Sequence, residues 1–194
     1  MMQWNFAKGA WDSQLLTHAA CYRFPQAPIF HQDDDCIRSG EDPTMADGYD
    51  YVTLLTREKL TPGVKLTTHV TFEGLAAPLV VLAKDLYEED GVMRYGDYLE
   101  TVIWKNGLNV WELWQQEPRV VQWHRLLGLD FSLDGSQMHE LSVEVQPDRF
   151  EITLDGHGIS LLCKAIFPSF HFGITGCEGT CRFYDMKIEP VEIK

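Results

Sequence analysis

A chain of 194 residues, 45% hydrophobic and 23% charged, has the size and composition of one globular domain, and all-β sandwiches often reach this length undivided. Its net charge of −13 repels phosphate backbones and anionic headgroups, which argues against nucleic-acid and membrane partners. No apolar run approaches the ~20 residues of a membrane span, and the same field makes a highly anionic polysaccharide a poorer ligand than a neutral one.

The start, Met1-Met2-Gln3-Trp4-Asn5-Phe6-Ala7-Lys8, lacks a basic region followed by a sustained apolar stretch, so no secretory signal is expected. Cys21, Cys36, Cys163, Cys177 and Cys181 are odd in number and form no regular framework. Free thiols in a reducing, cytoplasmic setting are the expectation. Cys177 and Cys181 flank Glu178-Gly179-Thr180, a hairpin tip that a local disulfide would also fit.

Residues 1–48 read as an irregular, loop-rich N-terminal segment of a single 1–194 domain. From Phe24 to Asp50 the chain carries three prolines and the acids Asp33, Asp34, Asp35, Glu41, Asp42, Asp47 and Asp50, the composition of a long surface loop. Such oxygen-rich loops can take calcium, although no EF-hand spacing is present. No other cofactor is indicated.

Beyond Tyr49 the pattern becomes that of strands. Tyr51 to Leu55 is followed by the turn Thr61-Pro62-Gly63 and then by Val64 to Phe72, in which Val64, Leu66, Thr68, Val70 and Phe72 share one face. Ala77 to Ala83 is a short, continuous apolar run. Tyr98 to Trp104 and Leu108 to Trp114 flank Asn106-Gly107, a strong hairpin signal. Further strands are expected at Arg119 to Leu127, Glu140 to Gln146, Phe150 to Leu154, Ile159 to Lys164, Phe170 to Thr175 and Arg182 to Glu189, with a turn at Asp155-Gly156-His157-Gly158. Leu141, Val143 and Val145 alternate with Glu140, Ser142 and Glu144, the code of a sheet with one wet face. No stretch has a helical period. Ten or so short strands predict an all-β, two-sheet antiparallel sandwich or barrel.

The order of these features resembles the concanavalin A-like lectin and glucanase superfamily. The residues that carry the likeness are Tyr98 to Trp104 with Val110 to Trp114, His139 to Val145 with Phe150 to Gly156, and Phe172 to Gly176 followed by Phe183 to Ile188. The resemblance covers about Tyr49 to Glu189 and implies a jelly-roll sandwich. Retaining glucanases of that fold carry two glutamates bracketing an aspartate on one strand. The matching stretch here, Glu100-Thr101-Val102-Ile103-Trp104, has no aspartate and no second glutamate, so that mechanism is not carried over. Nor is the Arg, Gln, His and Tyr set of jelly-roll polysaccharide lyases complete.

Six Trp, seven Tyr and ten Phe are enough to fill a core and also to furnish a binding face. An unpaired carboxylate between two sheets costs several kcal/mol, so Glu100 and Glu112 are both expected to point away from that layer. That choice gathers Tyr98, Glu100, Trp104, Glu112 and Trp114 on one outward face of the concave sheet, where sugar rings would stack on the aromatics and donate hydroxyls to the carboxylates. Alternatively a long loop, Phe24 to Asp50, covers the face and these rings are core. Gln122 and His124 share a face on the next strand, and His171 is opposed in direction to Phe170 and Phe172; all three are candidates to line the same groove. His69 and His157 read as surface positions.

The expected partner is therefore an oligosaccharide or polysaccharide held by Tyr98, Trp104, Trp114, Gln122 and His171. The alternative is a glycoside hydrolase or polysaccharide lyase using Glu100, Glu112 and His124. Carboxylates on neighbouring strands of one face lie about 5–8 Å apart, within the span of known glycosidase pairs. A third reading is a protein-interaction sandwich whose aromatic face docks another chain.

Overall fold

The computed structural model describes residues 1–22, 24, 26–40, 51–117 and 120–194, with the backbone alone at 116 and 117. Strands in chain order are β1 (Met2–Asn5), β2 (Leu16–His18), β3 (Ala20–Cys21), β4 (His31–Gln32), β5 (Ile37–Arg38), β6 (Val52–Thr56), β7 (Val64–Phe72), β8 (Ala77–Ala83), β9 (Leu86–Glu89), β10 (Val92–Tyr95), β11 (Tyr98–Trp104), β12 (Gly107–Glu117), β13 (Val120–Asp130), β14 (His139–Val145), β15 (Arg149–Leu154), β16 (His157–Leu162), β17 (His171–Cys177), β18 (Cys181–Phe183) and β19 (Asp185–Pro190). Among the described residues none is helical, and none forms an apolar helix long enough to cross a membrane.

Three layers result. A seven-stranded antiparallel sheet runs β13-β12-β11-β8-β17-β6-β2. Behind it lies a nine-stranded sheet in which β16-β15-β14-β7-β18-β5-β4 form the main path and β19 bridges β7 to β1. A small sheet, β3-β10-β9, is laid against the other side of the seven-stranded sheet.

Period-two alternation decides which side chain goes to which layer. In β7, Leu66, Thr68, Val70 and Phe72 are buried while the residues between them are half exposed, because one face meets the core and the other meets water. The inter-sheet core joins Leu54, Val80, Leu82, Leu99, Ile103 and Phe172 of the seven-stranded sheet to residues such as Leu66, Val143 and Phe150 behind. Each such side chain contributes about 1.5–3 kcal/mol by leaving water. β8 is different: all seven of its residues are buried. It sits between β11 and β17 and is covered on both faces, which is why its sequence is a continuous apolar run instead of an alternating one.

Turn chemistry fixes the registers. At the β11–β12 hairpin Gly107 has φ 144°, and an added Cβ would fall 1.9 Å from the Leu129 carbonyl oxygen; no other residue fits. Asp155 and Gly156, φ 49° and 80°, make the two-residue turn between β15 and β16, with the left-handed pair such a tight hairpin needs.

The N-terminal segment is more structured than its composition suggests. Trp4 and Phe6 are buried in the main core, and Phe30, Cys36 and Ile37 are buried as well. The acids at 41, 42, 47 and 50 of the expected calcium loop lie outside the described residues. Within the described residues no group of three or more His, Cys, Asp or Glu side chains is set to hold a metal ion. All five cysteines are buried; the Cys181 thiol points to the Cys177 carbonyl oxygen at 3.7 Å.

Candidate functional site

The site lies on the side of the seven-stranded sheet that faces away from the inter-sheet core. Cross-strand register sets what is there. Glu100 pairs with Val81 on β8 and Trp111 on β12, and Trp111 pairs in turn with Arg125 on β13. The next row joins Thr175, Leu79, Val102 and Asn109. From these rows Leu79, Glu100, Val102, Asn109 and Trp111 line a cleft of about 280 Å³, together with Tyr51, Trp104, Trp123, Cys177 and Glu178. That volume is just below the usual range for small-molecule sites, with room for only a short part of a larger molecule.

Glu100 is nearly buried in it, only 4% exposed. The Tyr51 hydroxyl donates to its Oε2 at 3.3 Å. Burial and the neighbouring Glu100 charge drive the Tyr51 phenol well above its usual range, so it keeps its proton and remains a donor. Tyr51 is itself stacked on Phe24, with centroids 4.7 Å apart. Further along the same face, Thr53 Oγ1 is hydrogen-bonded to the Tyr95 hydroxyl at 2.9 Å and to Thr175 Oγ1 at 2.8 Å. The base of the cleft thus continues into a buried polar network, the arrangement that locks side-chain rotamers.

The rings at the mouth behave otherwise. Trp111 and Trp123 meet edge to face, 6.1 Å apart at 88°, and Trp123 is 41% exposed. The Arg125 guanidinium lies over Trp111 at 5.7 Å. Glu178 enters from the β17–β18 turn with φ 59°, a left-handed conformation that costs a residue with a long side chain about 1–2 kcal/mol.

The expected grouping on one outward face is corrected by the register. Glu112 pairs with Leu99 and His124, not with Glu100, so it belongs to the opposite face of the sheet. There it escapes the burial penalty because it lies near the edge of the sandwich. Its side chain is 30% exposed and its Oε2 is 3.5 Å from His124 Nδ1. A separate shallow depression beside Leu126, Leu162, Cys163, Lys164 and Ala165 receives it. Trp114 and Gln122 pair with one another on the Glu112 side, beyond the end of β11, where Trp114 is left 39% exposed. Glu100 and Glu112 therefore do not form a facing pair, and His124 does not reach the cleft.

Tyr98 and His171 do lie on the Glu100 face, in one row with Ala83 between them. The small sheet covers that row. Tyr98 is fully buried, edge to face with Tyr95 at 5.0 Å. His171 is buried, donates through Nδ1 to the Thr56 carbonyl at 2.9 Å, and burial pushes its pKa down. Of the residues expected to line a groove, Glu100 and Trp104 do so. Sequence reasoning missed Tyr51, Asn109, Trp111, Trp123 and Glu178. Counting alternation outward from Glu100 across the Asn106-Gly107 turn would have found Asn109 and Trp111.

A larger opening of about 410 Å³ lies at the edge between the two large sheets, beside Leu108, Leu129, Phe131, Leu154 and Ile159. Its walls are almost wholly apolar, and its one carboxylate, Asp155, is committed to His139 at 2.7 Å and to the Glu140 amide at 2.9 Å. The chemistry-bearing cleft is the smaller one.

No family model and no curated protein sequence matches the chain. Solved structures do. β-Agarase A from Zobellia galactanivorans superposes with a TM-score of 0.70 at 9% identity, over 99% of this chain and 91% of that one. A β-1,3-1,4-glucanase (lichenase) from a mouse hindgut metagenome gives 0.65 at 14% identity, over 98% and 99%. Carbohydrate-binding module CBM66 from Bacillus subtilis gives 0.56 at 13% identity, over 78% and 90%. The chain has the concanavalin A-like jelly-roll sandwich fold.

Proposed function

We propose that this protein binds a carbohydrate, holding a short stretch of an oligosaccharide or polysaccharide in the cleft above Glu100. The observation that carries the reading is the composition of that cleft: three indole rings around a nearly buried carboxylate and an amide, Asn109. Sugar rings present C–H faces that pack on aromatic rings and hydroxyls that need acceptors, and a few fixed polar groups among apolar walls are the general form of a small-molecule site. That the fold is shared with glycan-active proteins supports the reading without assigning it, since one fold serves many functions.

Binding is favoured over hydrolysis by the residues C-terminal to Glu100 on β11. The two succeeding residues on the same face are Val102 and Trp104, so β11 presents no row of carboxylates to the cleft. A glycosidase remains the second reading because Glu178 brings another carboxylate to the same cleft, and two carboxyl groups are the minimum for acid–base cleavage of a glycosidic bond.

A glycan array followed by tryptophan-fluorescence titration tests the first reading. Trp123→Ala is expected to weaken the best glycan at least about tenfold while leaving stability within about 1 kcal/mol. If no glycan perturbs the indole emission, carbohydrate binding is wrong. Release of new reducing ends from a bound glycan, abolished in Glu100→Gln, would move the assignment to hydrolysis.

A further inference from the structure

We propose that the larger opening, at the edge between the two large sheets, is a second binding site. Its ligand is the hydrocarbon chain of an uncharged, dissolved amphiphile, of the class of a fatty alcohol or an acyl ester. The proposal stands apart from the carbohydrate reading, because the described lining of this slot shares no residue with that of the cleft.

The opening, about 410 Å³, lies between Leu108 and Leu129 of the front sheet and Ile152, Leu154 and Ile159 of β15 and β16. Leu108, Ile152 and Leu154 belong to the inter-sheet core and are buried, so the slot reaches the core itself. Its outer wall is fixed in place: the Phe131 amide donates to the Asn106 carbonyl at 3.1 Å and the Leu133 amide to the Lys105 carbonyl at 2.9 Å. Phe131 is nevertheless left 38% exposed at the mouth. The volume falls within the ~300–1,000 Å³ of small-molecule sites. An apolar space of this kind offers water too few partners, and its walls gain dispersion contacts when hydrocarbon fills it.

The surroundings of the slot select the occupant. Packed sheets lie about 10 Å apart, so a gap between them suits one unbranched chain and not a globular surface. A docking protein would need an apolar rim. Here the exposed acids Asp130 and Asp134 flank the wall of Phe131 and Leu133 in sequence, and Asp155 lines the slot. One lysine, Lys105, stands at the adjoining turn. That excess of carboxylates, within a net charge of −13, repels an anionic head group and an anionic lipid surface alike. Asp155 is already engaged by His139 and the Glu140 amide. The Ser132 hydroxyl and the His157 imidazole line the slot too, and neither side chain is hydrogen-bonded among the described residues. They are the groups left to meet a hydroxyl or an ester.

The test titrates the full chain by calorimetry with 1-butanol, 1-hexanol and 1-octanol, and with octanoate at pH 7. Expected is saturable binding that tightens about fourfold for each added methylene, the gain for one buried CH₂. Octanoate should bind at least about tenfold more weakly than 1-octanol. Ile159→Trp puts an indole into the slot and should abolish octanol binding. Phe131→Ala, at the exposed mouth, leaves the fold intact and should weaken it about threefold. Both are read on protein shown to be folded by its denaturant transition; if Ile159→Trp does not fold, Phe131→Ala and the chain-length series decide. Octanol affinity unchanged in the folded variants, or independent of chain length, overturns the site. Octanoate binding as well as 1-octanol overturns the uncharged ligand. A wild-type dimer in sedimentation that Phe131→Ala separates would make the slot an interface between copies, and the proposal falls. None of these results bears on the carbohydrate reading, which is tested at the cleft tryptophans.

Discussion

One face of the seven-stranded sheet is built as two halves by the same alternation rule, and they differ only in what lies over them. In the first half Leu55, Val81, Ala83, Tyr98 and Leu113 are buried beneath Ala19, Cys21 and Tyr95 of the small sheet and its flanks. In the second half no layer of described residues comparable to it covers Trp104, Trp111 and Trp123, and the cleft lies there; residues 41–50 of the loop expected to cover this face lie outside the described residues. An outward aromatic is therefore not in itself a ligand contact. Tyr98 and Trp104 stand on one strand and point the same way, yet one is structural core and the other lines an open cleft. A second layer of only three short strands decides which is which.

Substitutions in the two halves should have opposite signatures, and the largest contrast is in stability. Tyr98→Ala removes a fully buried ring packed on Tyr95 and is expected to cost about 3–5 kcal/mol in denaturant unfolding. Its effect on glycan affinity at a temperature where it remains folded should be small. Trp123→Ala reverses both effects. A Tyr98→Ala variant as stable as wild type would mean that the small sheet is not a stable lid on this half.

Acidification separates the buried parts of the fold from the cleft by another route. His18, whose Nε2 accepts the Phe30 amide at 3.2 Å, is held neutral by burial with a pKa of about 4 against an ordinary 6.5; His171, in the covered half, is shifted the same way. The unfolded chain takes up protons as pH drops below 6.5 while the folded chain resists. Stability contributed by these groups is thus complete above pH 6.5 and lost as pH falls toward 4. For His18 that amounts to at most about 3 kcal/mol. The cleft lining contains no histidine, so the acid loss should track global unfolding and not glycan affinity measured on folded protein. His18→Gln is expected to flatten the unfolding profile between pH 6.5 and 4; an unchanged profile would assign the acid sensitivity elsewhere.

A smaller effect belongs to the boundary between the halves. Tyr51→Phe deletes the hydroxyl that donates to Glu100 and is expected to cost about 1–2 kcal/mol, the penalty for stripping a partner from a buried carboxylate. It should also loosen Glu100 and weaken binding. Loss of stability without any change in affinity would show that the contact matters to the fold alone.

The fold was legible because alternation and turn residues are local signals. Val64 to Phe72 and Ala77 to Ala83 match β7 and β8 in full, and Asn106-Gly107 marks the β11–β12 hairpin. The short N-terminal strands and β9 and β10 were not legible. Two- to four-residue strands show too little periodicity, and their pairing is supplied by distant partners, as when β3 meets β10. The site was half legible for a related reason. Glu100 and Trp104 follow from one strand. Placing Glu112 beside them set a burial penalty above register, and the penalty does not apply at an open edge. Tyr51 and Glu178 enter from distant parts of the chain through β6 and β17, contacts no local pattern encodes.

The smallest effect concerns where the molecule carries left-handed backbone. In the turns at Asp155-Gly156 and Gly107 the left-handed positions hold residues that tolerate them, and those turns serve only the sheets. At the cleft rim the left-handed position holds Glu178. Glu178→Gly removes the Cβ clash but adds backbone freedom to the unfolded chain, so the net gain is expected to be small, about 0.5–1 kcal/mol in Tm-derived stability. A functional glutamate predicts that this gain comes with lost affinity for the best glycan, because strain retained against selection for stability marks a residue kept for another purpose. A variant both more stable and fully competent in binding would make the turn an ordinary one and leave Glu100 as the working carboxylate among the described residues of the cleft.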